Sequence, residues 1–265
     1  MERRKLGSIM SKSDIIPTQS RKLHLASCRN VRELGGYPTP CGSTQYHRFL
    51  RAGSTRSLIT SDIQLLKGWG VARALDLRSA AESPRVTCTL SRQTGIAWKN
   101  VPLYDIDVSA PTMMPAHGAK SYLVSSYLQM LAGTKSIKRA FEFLAQAQRN
   151  ECVLFHCAAG MDRTGVISLL LLGLCGVPKQ QILADYAYSF GPTDAVNLAV
   201  EEAMARRLVV PASTEPGYLL AVRIQAIEIT YDTIVQTHGS VRNYLASCDI
   251  GDQTLDAVSG HLLQP

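Results

Sequence analysis

Short apolar runs alternating with helix-period patterns predict an α/β fold, with a central, mainly parallel sheet flanked by helices. Two observations carry this. Residues 71–77 and 152–155 are brief apolar runs of the type buried inside a sheet, and both lie beside segments with helical periodicity. From residue 180 onward the pattern is nearly all helical, which adds extra C-terminal helices to the layered core.

The bulk composition permits such a fold. At 265 residues the chain is long enough to bury a large core, and 46% hydrophobic with 18% charged residues is ordinary for a globular enzyme. No apolar run reaches the ~20 residues that a membrane span needs. The first twenty positions are polar and contain no signal-like stretch, so a cytoplasmic location is expected, and export as an effector would leave the same pattern. Seven cysteines, at 28, 41, 88, 152, 157, 175 and 248, show no metal-ligand spacing and fit a reducing compartment. A net charge of +7 suits an anionic ligand, although six basic residues fall in the first 22 positions. No basic stripe interleaved with aromatics points to nucleic acid.

Residues 1–25 read as a flexible leader and 26–265 as a single domain. Paired glycines make 30–38 a turn-rich stretch, and 46–51 alternates as an early strand. Thr60 or Ser61 can cap a helix that carries Ile63, Leu65, Leu66 and Trp69 and stops at Gly70. Strands follow at 71–77 and 97–103, then helices at 120–132 and 136–149 with apolar residues at helical spacing. Residues 152–155 form a strand, and 166–175 an apolar helix ended by Gly176, with Pro178 after it. Further helices are expected at 201–208, 219–236, 241–246 and 255–263.

The chemistry concentrates between the strand at 152–155 and the helix at 166–175. His156-Cys157-Ala158-Ala159-Gly160-Met161-Asp162-Arg163-Thr164-Gly165 is a strand–loop–helix junction. A loop wrapped onto a helix start points several backbone N–H groups at one spot, and the helix dipole adds positive potential there. The same field favours a thiolate, so a cysteine here can titrate in the range of roughly 3.5–7.5. Arg163 adds a planar fork that matches two phosphate oxygens. A nucleophile, an anion nest and a bidentate clamp in eight residues point to phosphomonoester hydrolysis.

His156-Cys157, five residues, and then Arg163-Thr164-Gly165 resembles the signature of the cysteine-dependent tyrosine phosphatase superfamily. Asp162, directly before the arginine, narrows the resemblance to the bacterial and fungal branch whose loop reads His-Cys-x-x-Gly-Lys-Asp-Arg-Thr-Gly. Met161 stands where that branch commonly has lysine. Other stretches resemble the same branch in the same order. These are Asn30 to Tyr37 (with Glu33 for Asp), Arg51-Ala52-Gly53, Asp76-Leu77-Arg78-Ser79 with Glu82, Asp185-Tyr186 with Ser189, and His238 to Leu245. The resemblance implies a tyrosine-phosphatase-like fold, no cofactor, and activity on phosphotyrosine or, in some members, phosphoserine, phosphothreonine and phosphoinositides.

The roles follow. Cys157 attacks phosphorus and forms a phosphocysteine that water hydrolyses. Arg163 holds the phosphoryl oxygens and stabilises transition-state charge. Ala158, Ala159, Gly160, Met161, Asp162, Arg163 and Thr164 line the phosphate, the alanines through their amides. Thr164 can also donate its hydroxyl to the departing thiolate, and His156 orders the loop by hydrogen bonding. Asp162 is the first choice of general acid, a role the resembling branch assigns to this loop aspartate, with the alternative that it orients Arg163. Asp105 and Asp107 are the other acid candidates. Asp76 and Arg78 read as a buried structural pair, and Cys152 as a core thiol rather than a redox partner of Cys157. Residues 195–210 read equally as a lid or as an outer helix. Methionine at 161 removes a charge and offers an apolar surface, which favours phosphotyrosine protein or peptide over phosphoinositide. A rhodanese-like sulfurtransferase and a phosphate-binding module without turnover are the competing readings.

Overall fold

The computed structural model describes residues 21–83, 89–104, 119–190 and 216–264. Its strands are β1 (Arg32–Glu33), a separate hairpin of β2 (Pro38–Thr39) and β3 (Gly42–Ser43), then β4 (Phe49–Ala52), β5 (Val71–Asp76), β6 (Ala97–Asn100) and β7 (Cys152–His156). The main sheet runs β1-β4-β7-β5-β6, with β1 antiparallel to β4 and every other pairing parallel. It is a mixed, mostly parallel sheet flanked by helices, as the sequence predicts.

Strand β7 occupies the centre because all of its residues can be buried. Val153 and Phe155 face the larger core while Cys152 and Leu154 face a smaller one, the two-residue alternation of a strand buried on both sides. Ala52 of β4 and Asp76 of β5 both stand opposite His156 of β7, so the three strands end in line. Their loops leave from one edge of the sheet, the carboxyl edge where parallel α/β sheets bind ligands.

The helices are α1 (Thr60–Gly68), α2 (Ala119–Ala132), α3 (Thr134–Leu144), α4 (Asp162–Leu174), α5 (Lys179–Ala187), α6 (Pro216–His238), α7 (Val241–Ser247) and α8 (Asp252–Leu263). Short 3₁₀ turns cover Leu90–Arg92 and Tyr188–Phe190. Helix α1 closes the smaller core through Leu66; α2 through α8 contribute to the larger one. Every residue of α4 from Asp162 to Leu172 is buried, which accounts for its apolar character all round.

Several boundaries differ from the sequence reading. Arg21 to Leu25 is no part of a leader: the Arg21 guanidinium donates to Gly35 O and Gly36 O at 2.7 Å each, and Leu23 N donates to Val31 O. Helix α1 is capped at Ile59, without a side-chain cap, rather than at Thr60 or Ser61. Its first-turn carboxylate, Asp62, accepts instead from the Ala26 and Ser27 amides. Helix α3 ends at Leu144, and α4 begins four residues earlier than expected, at Asp162. Beyond β6, Val101 N and Leu103 N still donate to Asp76 O and Leu77 O, an extended run that the sequence reading counted as strand. The helix expected at 201–208, the candidate lid at 195–210, and Asp105 and Asp107 lie outside the described residues.

Candidate active site

The loop between β7 and α4 is shaped from behind. Ser54 N donates to Ala158 O at 2.8 Å; Asn30 Nδ2 donates to Ala159 O at 3.2 Å and to Gly160 O at 2.9 Å. Arg51 Nη2 donates to Gly160 O at 2.8 Å, and Gly165 N to Met161 O at 2.6 Å. Each of these carbonyls is thereby turned outward. Because a trans peptide holds its C=O and the following N–H on opposite sides, the amides of 159–162 turn the other way, into the loop. Gly160 makes the turn possible. Its φ is +72°, and a Cβ there would lie 2.5 Å from Ala52 O and 2.7 Å from Gly53 N. With the N-terminus of α4 at its rim, the loop is an anion cradle.

The cradle's supports converge on one buried carboxylate. Asp185 of α5 accepts from Arg32 Nε at 3.0 Å, from Tyr37 Oη at 3.0 Å, and from Arg51 Nη1. Arg32 also reaches Asp185 O, Ser189 Oγ and Asn30 Oδ1. Burial works to raise the Asp185 carboxyl, but the two guanidiniums outweigh it and hold it below the usual carboxylate range. Burial first, and Arg32 second, lower Arg51 to about 10, so it remains charged at neutral pH.

A second cluster aims Arg163. Its Nη1 donates to Glu82 Oε2 at 2.6 Å and its Nη2 to Glu82 Oε1 at 3.0 Å, a bidentate pair that uses two of the five guanidinium N–H donors. Glu82 sits on the loop after β5, whose shape is fixed by Asp76: this carboxylate accepts from the Arg78 side chain, the Arg78 amide and Ser83 Oγ. Burial opposes ionisation of Asp76, yet His156, Arg78 and Ser83 together hold its pKa down at about 2. The expected Asp76–Arg78 pair is thus buried, and its place is beneath the loop that delivers Glu82.

His156 is fully buried, and burial lowers its pKa, so the ring is neutral at neutral pH. Nδ1 lies 3.2 Å from Cys157 O and Nε2 lies 3.1 Å from Thr55 Oγ1. A carbonyl can only accept, which assigns the proton to Nδ1 and makes Nε2 the acceptor from Thr55.

Cys157, Met161, Asp162, Arg163 and Thr164 are all fully buried. The Thr164 hydroxyl has no hydrogen-bond partner among the described residues, so it can turn towards sulfur or a phosphate oxygen. The Met161 side chain, like that of Cys157, belongs to the principal core. Asp162 lies among three helices: its Oδ1 is in hydrogen-bond contact with Tyr127 Oη of α2, with Tyr186 Oη of α5 at 3.2 Å and with Arg223 Nη1 of α6 at 2.7 Å, and the two phenol oxygens lie 2.5 Å from each other. Tyr127 and Arg223 escaped sequence reasoning; each lies on a long helix without a motif. Among the described residues, no group of three or more His, Cys, Asp or Glu side chains is placed to hold a metal ion, and no helix is long and apolar enough to cross a membrane.

Sheet, cradle and clamp define a protein built to take up a phosphoryl group. The chain belongs to the tyrosine phosphatase family, which it matches over residues 23–264, and it is a phosphatase. It is similar to a putative tyrosine-protein phosphatase of Cupriavidus necator, 29% identical over 239 residues that cover 88% of this chain and 85% of the relative. A tyrosine-protein phosphatase of Nostoc commune is 35% identical over 142 residues, 53% of this chain and 48% of the relative. The triple specificity protein phosphatase PtpB of Mycobacterium tuberculosis is 26% identical over 154 residues, 55% and 56% of the two chains.

Proposed function

We propose that this chain hydrolyses phosphotyrosine in proteins or peptides through a phosphocysteine on Cys157. The observation that carries the reading is the cradle itself, with its carbonyls pinned outward by Asn30, Arg51 and Ser54 beside the nucleophile. The Cys157 thiolate attacks phosphorus; the S–P bond forms as the P–O bond to the leaving group breaks. The loop amides and Arg163 meet the charge on the equatorial oxygens, and need no reorientation to do so. Water then attacks the phosphocysteine and releases inorganic phosphate, while Thr164 donates its hydroxyl to the departing sulfur. His156 orders the loop through Cys157 O. Asp162 enters this reading as the candidate general acid for the leaving oxygen, with Tyr127, Tyr186 and Arg223 in contact with its Oδ1.

The relatives named tyrosine-protein phosphatases support phosphotyrosine as the substrate class. The relative named triple specificity makes phosphoserine, phosphothreonine and phosphoinositide the comparison substrates. Cytoplasmic residence fits the same picture, since the cysteines among the described residues are all free.

The test is phosphate release in EDTA from p-nitrophenyl phosphate, phosphotyrosine and phosphoserine peptides and phosphoinositides, by wild type and by Cys157→Ser. Metal-independent turnover that the substitution abolishes, with phosphotyrosine preferred, is the expected result. Phosphopeptide binding without phosphate release by reduced, folded protein would sink the reading.

A further inference from the structure

Two adjacent residues of the loop after β4 support the start of the phosphate loop. Ser54 N donates to Ala158 O at 2.8 Å, and Thr55 Oγ1 lies 3.1 Å from Nε2 of His156, whose Nδ1 faces Cys157 O at 3.2 Å. The carbonyls from Ala158 to Met161 are each held by an amide or a guanidinium, which can only donate. The Cys157 carbonyl is held by an imidazole, whose nitrogen presents either a proton or a lone pair. Which of the two Nδ1 presents depends on what faces Nε2. The Thr55 hydroxyl does, and so does Asp76 Oδ2 at 3.9 Å. All three side chains are fully buried. Burial lowers the His156 pKa, Arg78 and Arg163 lower it further, and Asp76 only partly offsets them, so the ring carries a single proton. The Asp76 carboxylate alone would draw that proton to Nε2 and set a lone pair on Nδ1 against the Cys157 carbonyl. A hydroxyl that donates to Nε2 returns the proton to Nδ1.

We propose that Thr55 is a positioning residue of the phosphate loop: its hydroxyl holds the His156 proton on Nδ1, where that proton pins the Cys157 carbonyl and so aims the Ala158 amide into the cradle. The peptide between Cys157 and Ala158 is trans, so its C=O and N–H point opposite ways, and a carbonyl tied to His156 fixes the amide beside the nucleophile. Ser54 does the same for the next peptide through its own N–H. The loop after β4 thus sets two consecutive amides of the cradle. It can reach them because Ala52, the last residue of β4, stands opposite His156, the last residue of β7. With the proton on Nε2 instead, a lone pair would meet the carbonyl oxygen and this first amide would lose its aim. Thr55 acts through His156 and not on the reacting atoms. Its effect on turnover rests on the phosphocysteine reading; the position of the proton does not.

The experiment reads the His156 ring by long-range proton–nitrogen NMR correlations on isotope-labelled full-length protein, the signals being identified by their loss in His156→Asn. The proteins compared are wild type, Thr55→Ser and Thr55→Val, each with kcat/KM on p-nitrophenyl phosphate and a thermal unfolding curve. Wild type and Thr55→Ser are expected to show a neutral ring with its proton on Nδ1. Thr55→Val keeps the shape and loses the hydroxyl, so its ring should carry the proton on Nε2. Its kcat/KM should fall about tenfold to a hundredfold, somewhat less than deletion of a preorganised donor costs, and Thr55→Ser should recover most of that loss. A wild-type ring protonated on Nε2 overturns the inference whatever the variants do. So does a folded Thr55→Val whose ring keeps its Nδ1 proton, neutral or charged. A switched proton with unchanged kcat/KM removes the positioning role, and a Thr55→Ser as impaired as Thr55→Val assigns the loss to packing. If Thr55→Val does not fold, the spectra of wild type and Thr55→Ser decide. Absence of any Cys157-dependent turnover by wild type is a separate outcome, which removes the phosphatase mechanism and the positioning role with it, while the spectrum still decides where the proton sits.

Discussion

Changing Glu82 to glutamine isolates the aiming of Arg163 from its charge. The carboxylate takes Nη1 at 2.6 Å and Nη2 at 3.0 Å, and its side chain is only 10% exposed. An amide offers one oxygen to two N–H groups and sets its own N–H₂ against the guanidinium. Breaking a buried pair outright costs about 3–5 kcal/mol, and the amide keeps one of the two bonds, so about 2–3 kcal/mol is expected. Expressed at the transition state, that lowers kcat/KM by roughly 30- to 150-fold. Because Arg163 also holds the ground state, KM should rise as kcat falls, and inhibition by inorganic phosphate should weaken in parallel. Steady-state kinetics on p-nitrophenyl phosphate, with thermal unfolding to confirm the fold, make the measurement. A folded Glu82→Gln protein within twofold of wild type would refute the argument that Glu82 aims the clamp.

Three further outcomes are expected. Gly160→Ala forces a left-handed backbone on a residue with a Cβ, about 1–2 kcal/mol, and drives that Cβ onto Ala52 O, so phosphate release should drop about a hundredfold with an unchanged circular dichroism spectrum. Asp185→Ala leaves Arg32 and Arg51 facing each other without their carboxylate; denaturant titration should show a loss of about 3–5 kcal/mol, and a loss below about 1 would contradict it. Asp76 has its pKa lowered from 3.8 to about 2 on folding, so the stability it contributes is present above pH ~4 and is lost as pH falls through about 2. Asp76→Asn should therefore cost about 2 kcal/mol at neutral pH, and should flatten the acid limb of a stability–pH profile; an unchanged limb would count against it.

The parts legible in the sequence are those that the local chain decides. The Cys157-to-Arg163 spacing is set by a strand end and a helix start, and β5, β7 and α4 announce themselves by apolar runs because most of their residues are buried. Asp162 shows where local reading stops. Its partners include Arg223, 61 residues away, and Tyr127, 35 residues away, which no local pattern announces. Met161, expected from the sequence to offer an apolar surface to the substrate, lies directly before α4 and in the principal core. Asn30, Arg51 and Asp185 each lie in a stretch with a recognisable pattern. Their common purpose is a set of contacts over separations of 109 to 134 residues, which no periodicity encodes.

The Arg32–Asp185 pair spans 153 residues, and that distance has a consequence for biosynthesis. A chain made from its N-terminus at about 5–20 residues per second presents Arg32 roughly 8–30 seconds before Asp185 exists. During that interval neither Arg32 nor Arg51 has its counter-ion, and the guanidinium that will pull on Gly160 O is not yet anchored. Cys157 emerges inside the same window, so the loop that follows it gains its full set of supports only after residue 185 has been added and docked.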